Sequence, residues 1–545
     1  MATTPGDFPI GDIHEAIAAT RPNETCLVFR DLRLTWQQIT DRTRQLANYL
    51  HAKGLGCQHE RPTLEGHESG QDHLAIYLHN GNEYLEAMLG AFKARVAPLN
   101  INYRYVAEEL RYVLNDSQAA AVVVHSAFAP VLAEILHELP SIRVILQVPD
   151  QSGNPLLPGA VWYEDALAQS STQPVPVAAC ADDLYILYTG GTTGMPKGVL
   201  WRSGDAASEC FGGSKTATTL AEYAAEATGA LKALLAPPFM HGAGHWMSFR
   251  TWLSGGTIFI QDEPERLNPA DVWGLVQREQ LNFLLIVGDA FARPLLDELD
   301  RADYDLSSLN VILSGGAALS VNLKQEFLAH LPTLIVVDGL GSSEAGGQSS
   351  HVSAGATAST GTFPLVEGNH VLSEMLDREL APGDPELGWL AKSGHLALGY
   401  LGDPDKTART YPVINGVRYA VPGDRARLFN DNTIALHGRD SVTINSGGEK
   451  IFAEEVEAAV KANEGVYDCV VAGRPSERWG SEVIAIVRRK ATSTVTEAEL
   501  LETSGRHIAR FKLPKAFIFV DHIERSPSGK ADYRWAKQIA AAGSA

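Results

Sequence analysis

Tyr188-Thr189-Gly190-Gly191-Thr192-Thr193-Gly194-Met195-Pro196-Lys197-Gly198-Val199 is the stretch around which the rest of the chain is organised. Between Thr189 and Lys197 stand three threonines, three glycines and the lysine itself. Glycines let backbone N–H groups turn toward an anion, threonine hydroxyls add donors, and a lysine supplies a point charge. The pattern therefore describes a cradle for polyphosphate. Ahead of it, Leu184-Tyr185-Ile186-Leu187-Tyr188 is an apolar, aromatic and β-branched run of strand length, so the loop hangs off the end of a buried strand. It is not a Walker A loop, which needs Gly-Lys followed by Ser or Thr at a helix start; here Pro196 precedes the lysine and Gly198 follows it. An ordinary Gly/Thr turn is the plain alternative for a cluster of this kind.

The chain has 545 residues, enough for two to four structural units at roughly 100–200 residues each. Its 45% apolar and 20% charged residues are ordinary for a globular protein. A formal net charge of −20 opposes binding to nucleic acid or to an anionic membrane surface, so an anionic substrate must be met by local positive groups. The five cysteines (Cys26, Cys57, Cys180, Cys210, Cys469) are scattered and lack metal-ligand spacing, which fits reduced thiols. The start lacks a basic segment followed by an apolar one, and no apolar run approaches about 20 residues. The expectation is a soluble, cytoplasmic protein without integral membrane association.

Read in order, the chain opens with a helix over 13–19, a strand over 26–29 and an amphipathic helix over 35–51, with Trp36, Ile39, Leu46 and Leu50 at helical spacing. The polar stretch 58–71 reads as an exposed loop, and His59, His67 and His73 in and beside it as solvated surface. From 73 to 146 strands and helices alternate in the rhythm of a mostly parallel sheet, with 98–105 assigned to structure. Ala236 to Trp246 sets His241, His245 and Trp246 beside glycines, as in a shaped apolar cavity. A strand over 284–287 leads to a helix through Leu299, with Asp289 as its N-cap. Val311 to Ala317 is a strand ending in Gly315, Gly316 and Ala317, where a flat ring stacks with no Cβ in the way. Near the end come a helix over 453–462, strands over 466–471 and 482–487 and a helix over 497–510, an α+β unit of about 100 residues.

These residues, taken in order, resemble the adenylate-forming superfamily of acyl-CoA synthetases, firefly luciferases and peptide-synthetase adenylation domains. The resemblance runs from the quoted stretch to Arg525-Ser526-Pro527-Ser528-Gly529-Lys530 and covers nearly the whole chain. It implies an α/β fold with a large multi-subdomain N-terminal domain over 1–438, built on mostly parallel sheets, and a small mobile α+β domain over 439–545. Its hinge falls near Ser441, where the family more often has aspartate or lysine. Asp338-Gly339-Leu340-Gly341-Ser342-Ser343-Glu344 matches the family's Tyr-Gly-x-Thr-Glu element, with Leu340 replacing the tyrosine and Ser343 the threonine. The implied nucleotide contacts are Tyr188, Thr189, Gly190, Gly191, Thr192, Thr193, Gly194, Lys197, Gly315, Gly316, Ala317, the 338–343 run, Asp424, Arg439 and Lys530, with Ser446, Gly447 and Gly448 near the domain junction. Asp424 offers two oxygens to a ribose, although Pro-Gly-Asp alone would be a β-turn. Glu344 would ligate Mg²⁺, a hard cation suited to carboxylate and phosphate oxygens. Lys530, Glu344, Thr189 and His241 form the implied catalytic set; His241 as a core histidine is the other reading.

The implied activity is ATP-dependent activation of a carboxylic acid as acyl-AMP, then transfer to coenzyme A, with ATP, Mg²⁺ and coenzyme A as the cofactors. Leu200-Trp201-Arg202, Gly288-Asp-Ala-Phe-Ala-Arg-Pro294 and Ser526 to Trp535 resemble a bacterial subgroup that includes ligases of steroid side-chain acids. Fatty and other bulky apolar acids fit the same residues. A homodimer stays open. The rivals are a peptide-synthetase adenylation domain, which wants an acidic residue in the acyl pocket, a ligase that loads a carrier protein, and a nucleotide-binding regulator lacking a catalytic group.

Overall fold

Apolar runs of four to six residues become central strands of two eight-stranded sheets, and His73–Tyr77, Leu184–Thr189 and Phe283–Ile286 among them are buried on both faces and so show no alternation. The computed structural model describes residues 7–189, 195–355, 358–359, 361–439, 442–446, 449–476, 480–527 and 529–543, with only the backbone of Arg439, Glu449 and Lys450. One sheet runs, edge to edge, through Gly399–Tyr400, Lys197–Arg202, Leu184–Thr189, Ala97–Asn100, His73–Tyr77, Ala119–His125, Val144–Val148 and Val161–Trp162. From Leu184–Thr189 onward its pairings are parallel. The other runs through Gly346–Ala354, Ile335–Ser342, Val311–Gly315, Phe283–Ile286, Lys232–Leu235, Thr257–Ile260, Thr25–Phe29 and Leu32–Thr35, parallel except at its two edges. The α/β expectation of mostly parallel sheets is met. A five-stranded antiparallel sheet, from Thr362–Pro364 to Asn369–Leu372 by way of Thr433–Arg439, Asp424–Leu428 and Gly388–Lys392, was not foreseen.

Helix starts follow their capping chemistry. Thr35 caps Trp36–Ala52 through a capping box: its hydroxyl accepts from the Gln38 amide at 3.2 Å while the Gln38 side chain accepts from the Thr35 amide at 2.8 Å. Its face of Trp36, Ile39, Leu46 and Leu50 is fully buried, as the spacing predicts. The expected cap at Asp289 is corrected. The Gly288–Leu299 helix has Val287 as its N-cap, and Asp289 lies inside the first turn, where its carboxylate reaches elsewhere. His73 is also corrected from surface to core: it opens a fully buried strand, and its ring bonds the Ser117 carbonyl and the Ser69 hydroxyl.

The C-terminal residues form a hairpin (Thr443–Ser446 with Glu449–Phe452) and a three-stranded sheet of Val466–Ser476, Gly480–Arg489 and Ala516–Phe519. Ala453–Lys461 and Tyr533–Ala542 pack on it, each with its apolar stripe in a separate cluster. The helix expected over 497–510 stops at Gly505, and Arg510–Lys512 is a single tighter turn. Glycine has poor helix propensity, and the sequence from Gly505 offers no further apolar periodicity to offset it.

Candidate active site

In open parallel sheets, side chains that meet ligands collect at the carboxyl ends of strands. Thr189 ends one such strand, and it is paired across the ladder with Lys197, which places the two ends of the quoted stretch side by side. Gly190, Gly191, Thr192, Thr193 and Gly194 lie outside the described residues. Asn100, at the end of its own strand, ties this edge to the second sheet. Its amide donates to the Tyr188 carbonyl at 2.8 Å and the Met240 carbonyl at 2.7 Å, and its oxygen accepts from the Tyr188 amide at 2.8 Å. The Tyr188 hydroxyl donates to Asp116 at 2.8 Å, and the Lys197 ammonium lies 3.5 Å from Asp116 and 3.9 Å from Asp403. Two carboxylates thus aim the one cation of the loop.

Met240 leads directly to His241, the N-cap of the Gly242–Leu253 helix. Its Nε2 is shut off from solvent and has no hydrogen-bond partner among the described residues. Burial, followed by the charge of Lys530 and by His245, pushes the imidazole down to about 3, so it stays neutral at physiological pH. His245, grouped with it on sequence, is instead a core residue. It is fully buried, its Nδ1 bonds the Phe239 carbonyl at 2.6 Å, and its Nε2 meets the Tyr185 hydroxyl, which also accepts from Trp246 at 2.9 Å.

The second sheet supplies a floor without side chains. Gly315 stands in register with Gly339, and a Cβ built on either would meet nothing closer than 3.6 Å. Gly316 follows at φ +89°, a left-handed conformation that favours glycine. A Cβ there would lie 3.7 Å from Cε of Lys530, so the lysine extends over the floor, with Ala317 just beyond. On the neighbouring strand, that of Gly339, the Asp338 carboxylate is committed to the buried Lys324 ammonium, and Leu340 packs against the five-stranded sheet. Gly341 stands opposite Gly347 in the neighbouring strand. The buried Ser342 hydroxyl accepts from the Ala345 amide at 3.1 Å, and the Ser343 carbonyl accepts from Trp201 at 2.8 Å.

Glu344 comes next, with one carboxylate oxygen accepting from the Tyr400 hydroxyl at 2.7 Å. Among the described residues no group of three or more His, Cys, Asp or Glu gathers to hold a metal. A cation at Glu344 would therefore take most of its ligands from phosphate and water, which suits Mg²⁺, an ion that keeps its waters and uses one or two carboxylates. Asp424 opens its strand in register with Arg439, and Ser446 is buried at the tip of the 443–452 hairpin. The Arg439 side chain, Ser441, Gly447 and Gly448 lie outside the described residues. Lys530 closes a turn in which the Ser526 amide donates to the Lys530 carbonyl at 2.9 Å and the Gly529 amide to the Ser526 carbonyl at 2.8 Å. Asn100, Asp116, Asp403 and Tyr400, which hold these groups, escaped the sequence reading. Asn100 alone carried a clue, as the one amide ending the otherwise apolar Ala97–Asn100 strand.

The family model for AMP-binding enzymes matches residues 14–401, and the model for the AMP-binding enzyme C-terminal domain matches 455–530. The chain is 50% identical, over the whole of both chains, to the medium-chain acyl-CoA ligase Mig of Mycobacterium avium. It is 37% identical to the 3-oxocholest-4-en-26-oate–CoA ligase of Rhodococcus rhodochrous, covering 97% of this chain and 95% of that one. The fold is shared with ATP-bound MatB from Rhodopseudomonas palustris, at a TM-score of 0.80 and 23% identity over 97% of this chain and 98% of that one. It is shared too with an anthranilate CoA ligase bound to anthranoyl-AMP, at a TM-score of 0.82 and 19% identity over 99% and 98%. With strand ends, a glycine floor and a delivered lysine arranged as described, the chain belongs to the AMP-binding enzyme family and is an acid–thiol ligase.

Proposed function

We propose that the protein activates an apolar carboxylic acid, a medium-chain fatty acid first among them, as its acyl adenylate and passes the acyl group to coenzyme A. The observation that carries this is Lys530, set against the side-chain-free floor at Gly316 and close enough to His241 to depress its basicity. The substrate class follows from the apolar surroundings of the His241 loop and from the names of the relatives at 50% and 37% identity. In the first step a carboxylate oxygen bonds to the α-phosphorus of ATP, the bond from that phosphorus to the bridging oxygen breaks, and pyrophosphate leaves. In the second, the thiol sulfur of coenzyme A bonds to the acyl carbon, the bond to the AMP oxygen breaks, and the thiol proton passes to solvent.

Both reactants of the first step are anions, so the protein's share is positioning and charge. Lys530 would sit on the α-phosphate and the incoming carboxylate, Lys197 and Thr189 on the outer phosphates, Asp424 and Arg439 on the ribose, and Gly315, Gly316 and Ala317 under the adenine. A neutral His241 adds a polar edge without repelling Lys530. Mg²⁺ held by Glu344 would neutralise phosphate oxygens, and Glu344→Gln should lower turnover and shift its Mg²⁺ dependence; an unaltered Mg²⁺ titration would remove that assignment. The division at 438/439 with a hinge at Ser441 belongs to the same proposal, and Ser441→Pro should separate the two half-reactions. The deciding experiment is pyrophosphate release with coenzyme A over short, medium, long, aromatic and steroid acids. A preference for an aromatic or short acid would refute the substrate class.

A further inference from the structure

The helix Gly288–Leu299 starts beside the adenine floor and carries the C-terminal residues on its side. The Gly288 amide donates to the Ser314 hydroxyl at 2.9 Å, and the Asp289 amide to the Ala318 carbonyl at 3.3 Å, so its first turn is bonded to the loop that contains Gly316. One carboxylate oxygen of Asp289 accepts from the Ser320 amide at 2.7 Å, at the far end of that loop. The other receives the Lys461 ammonium, 2.8 Å away, from the last turn of Ala453–Lys461. Both side chains are largely buried, at 9% and 15% exposure, so the pair is only weakly screened.

Lys461 in turn lies within electrostatic reach of Asp468. Asp468 is gripped by Arg525 through two parallel bonds of 2.8 and 2.7 Å, the fixed fork-to-fork geometry that arginine makes with a carboxylate. The third arm of Arg525 donates to the Gly529 carbonyl at 3.0 Å, one residue before Lys530. Gly529, at φ +75°, rests on the start of the same helix: a Cβ there would lie 2.9 Å from the Val287 carbonyl and 3.3 Å from Phe291. Beside the Asp289–Lys461 pair a cleft of about 570 Å³ opens between the helices of the two parts, lined by Arg293, Glu326, Tyr467 and Lys490 among others. Apolar packing is therefore thin at this face, and docking there rests on a few polar contacts, including Tyr467 to Asp297 at 3.4 Å.

We infer that Asp289 is a positioning residue for adenylation: it joins the loop of the adenine floor to Lys461, and through Asp468 and Arg525 sets where Lys530 stands. The inference deepens the proposed function and rests on it. It also explains why Asp289 is spared from capping its own helix, since one of its oxygens holds the Ser320 amide and the other is engaged across the interface by Lys461.

The test uses the full-length protein and separates the two half-reactions, by acid-dependent exchange of pyrophosphate into ATP and by transfer from a chemically made acyl adenylate to coenzyme A. Asp289→Asn keeps an acceptor for Ser320 and removes the charge, and Lys461→Met removes its partner. Each should slow exchange about 10- to 100-fold, the range for a misplaced catalytic group, with little change in the KM for ATP. Transfer should fall far less. Lys461→Arg should recover most of the exchange, and the double variant should cost no more than either single one, because both remove one linkage. Equal losses in both half-reactions, losses that track Tm, or Lys461→Arg as slow as Lys461→Met would each overturn the inference. Wild-type protein without acid-dependent exchange would instead remove the function beneath it.

Discussion

The two sides of the site are held by different means. On the body side, Tyr188, Met240 and Ser343 are fixed by buried hydrogen bonds from Asn100 and Trp201 at the ends of packed strands. On the C-terminal side, Lys530 is placed by charged side chains in series: Asp289, Lys461, Asp468 and Arg525. Buried backbone partners are costly to lose and change little with conditions, whereas ion pairs at an interface can be made and released. In the proposed function, a rigid half would present the nucleotide surface and an adjustable half would bring the charge.

The strongest way to break this contrast is Lys530→Ala. Its adenylation rate should fall on the order of 10²-fold or more, the scale for loss of one electrostatic stabiliser, while a supplied acyl adenylate is still passed to coenzyme A. Stopped-flow pyrophosphate detection reads the first and thioester absorbance the second; equal losses would place Lys530 elsewhere in the cycle. Next comes Asn100→Ala, which strands the Tyr188 amide and two carbonyls in the interior. It should destabilise the body by about 3 kcal/mol, since each abandoned buried group costs about 1–3 kcal/mol and the structure relaxes in part. Urea denaturation measures this, and a variant as stable as wild type would mean the strand ends are held by something else.

The smallest expected effect per side chain concerns pH. His125, His241 and His245 are held neutral chiefly by burial, at about 4, 3 and 4, while the unfolded chain binds their protons near 6.5. Protons then favour the unfolded state, so body stability is full above pH 6.5 and declines as the pH drops toward 4. The loss is roughly 1 kcal/mol per histidine by about pH 5.5. The histidines of the C-terminal part, His507 and His522, are exposed and lie outside its strands. Hydrogen exchange at pH 7 and 5.5 should weaken protection in the body strands more than in Val466–Ser476. Uniform weakening would contradict it.

Much of the body was legible in the sequence because its strands are uninterrupted apolar runs and its glycine loops sit at their ends. The Leu184–Thr189 strand, the Gly315–Gly316 floor and the Lys530 turn all follow from local pattern. What stayed hidden is what pattern cannot encode, namely partners distant in sequence. Asp289 looked like a cap because Asp at a helix start usually is one, and its partner Lys461 lies 172 positions away. His73 looked solvated because its neighbours are polar, yet one ring nitrogen finds the Ser117 carbonyl. The five-stranded sheet was missed because its short strands come from scattered positions between 362 and 439.

The strand Thr25–Phe29 has as its parallel neighbour Thr257–Ile260, made long after it. At the usual pace of about 5–20 residues per second, the ribosome needs on the order of tens of seconds to supply that neighbour. In the interval Cys26, wholly enclosed in the finished protein, has no sheet to enclose it. Nascent chains stalled before residue 257 should leave that thiol open to a maleimide, and chains stalled well beyond 260 should protect it. For this stretch, birth order in the cell differs from order in the fold, and its early safety depends on whatever shelters an emerging apolar segment.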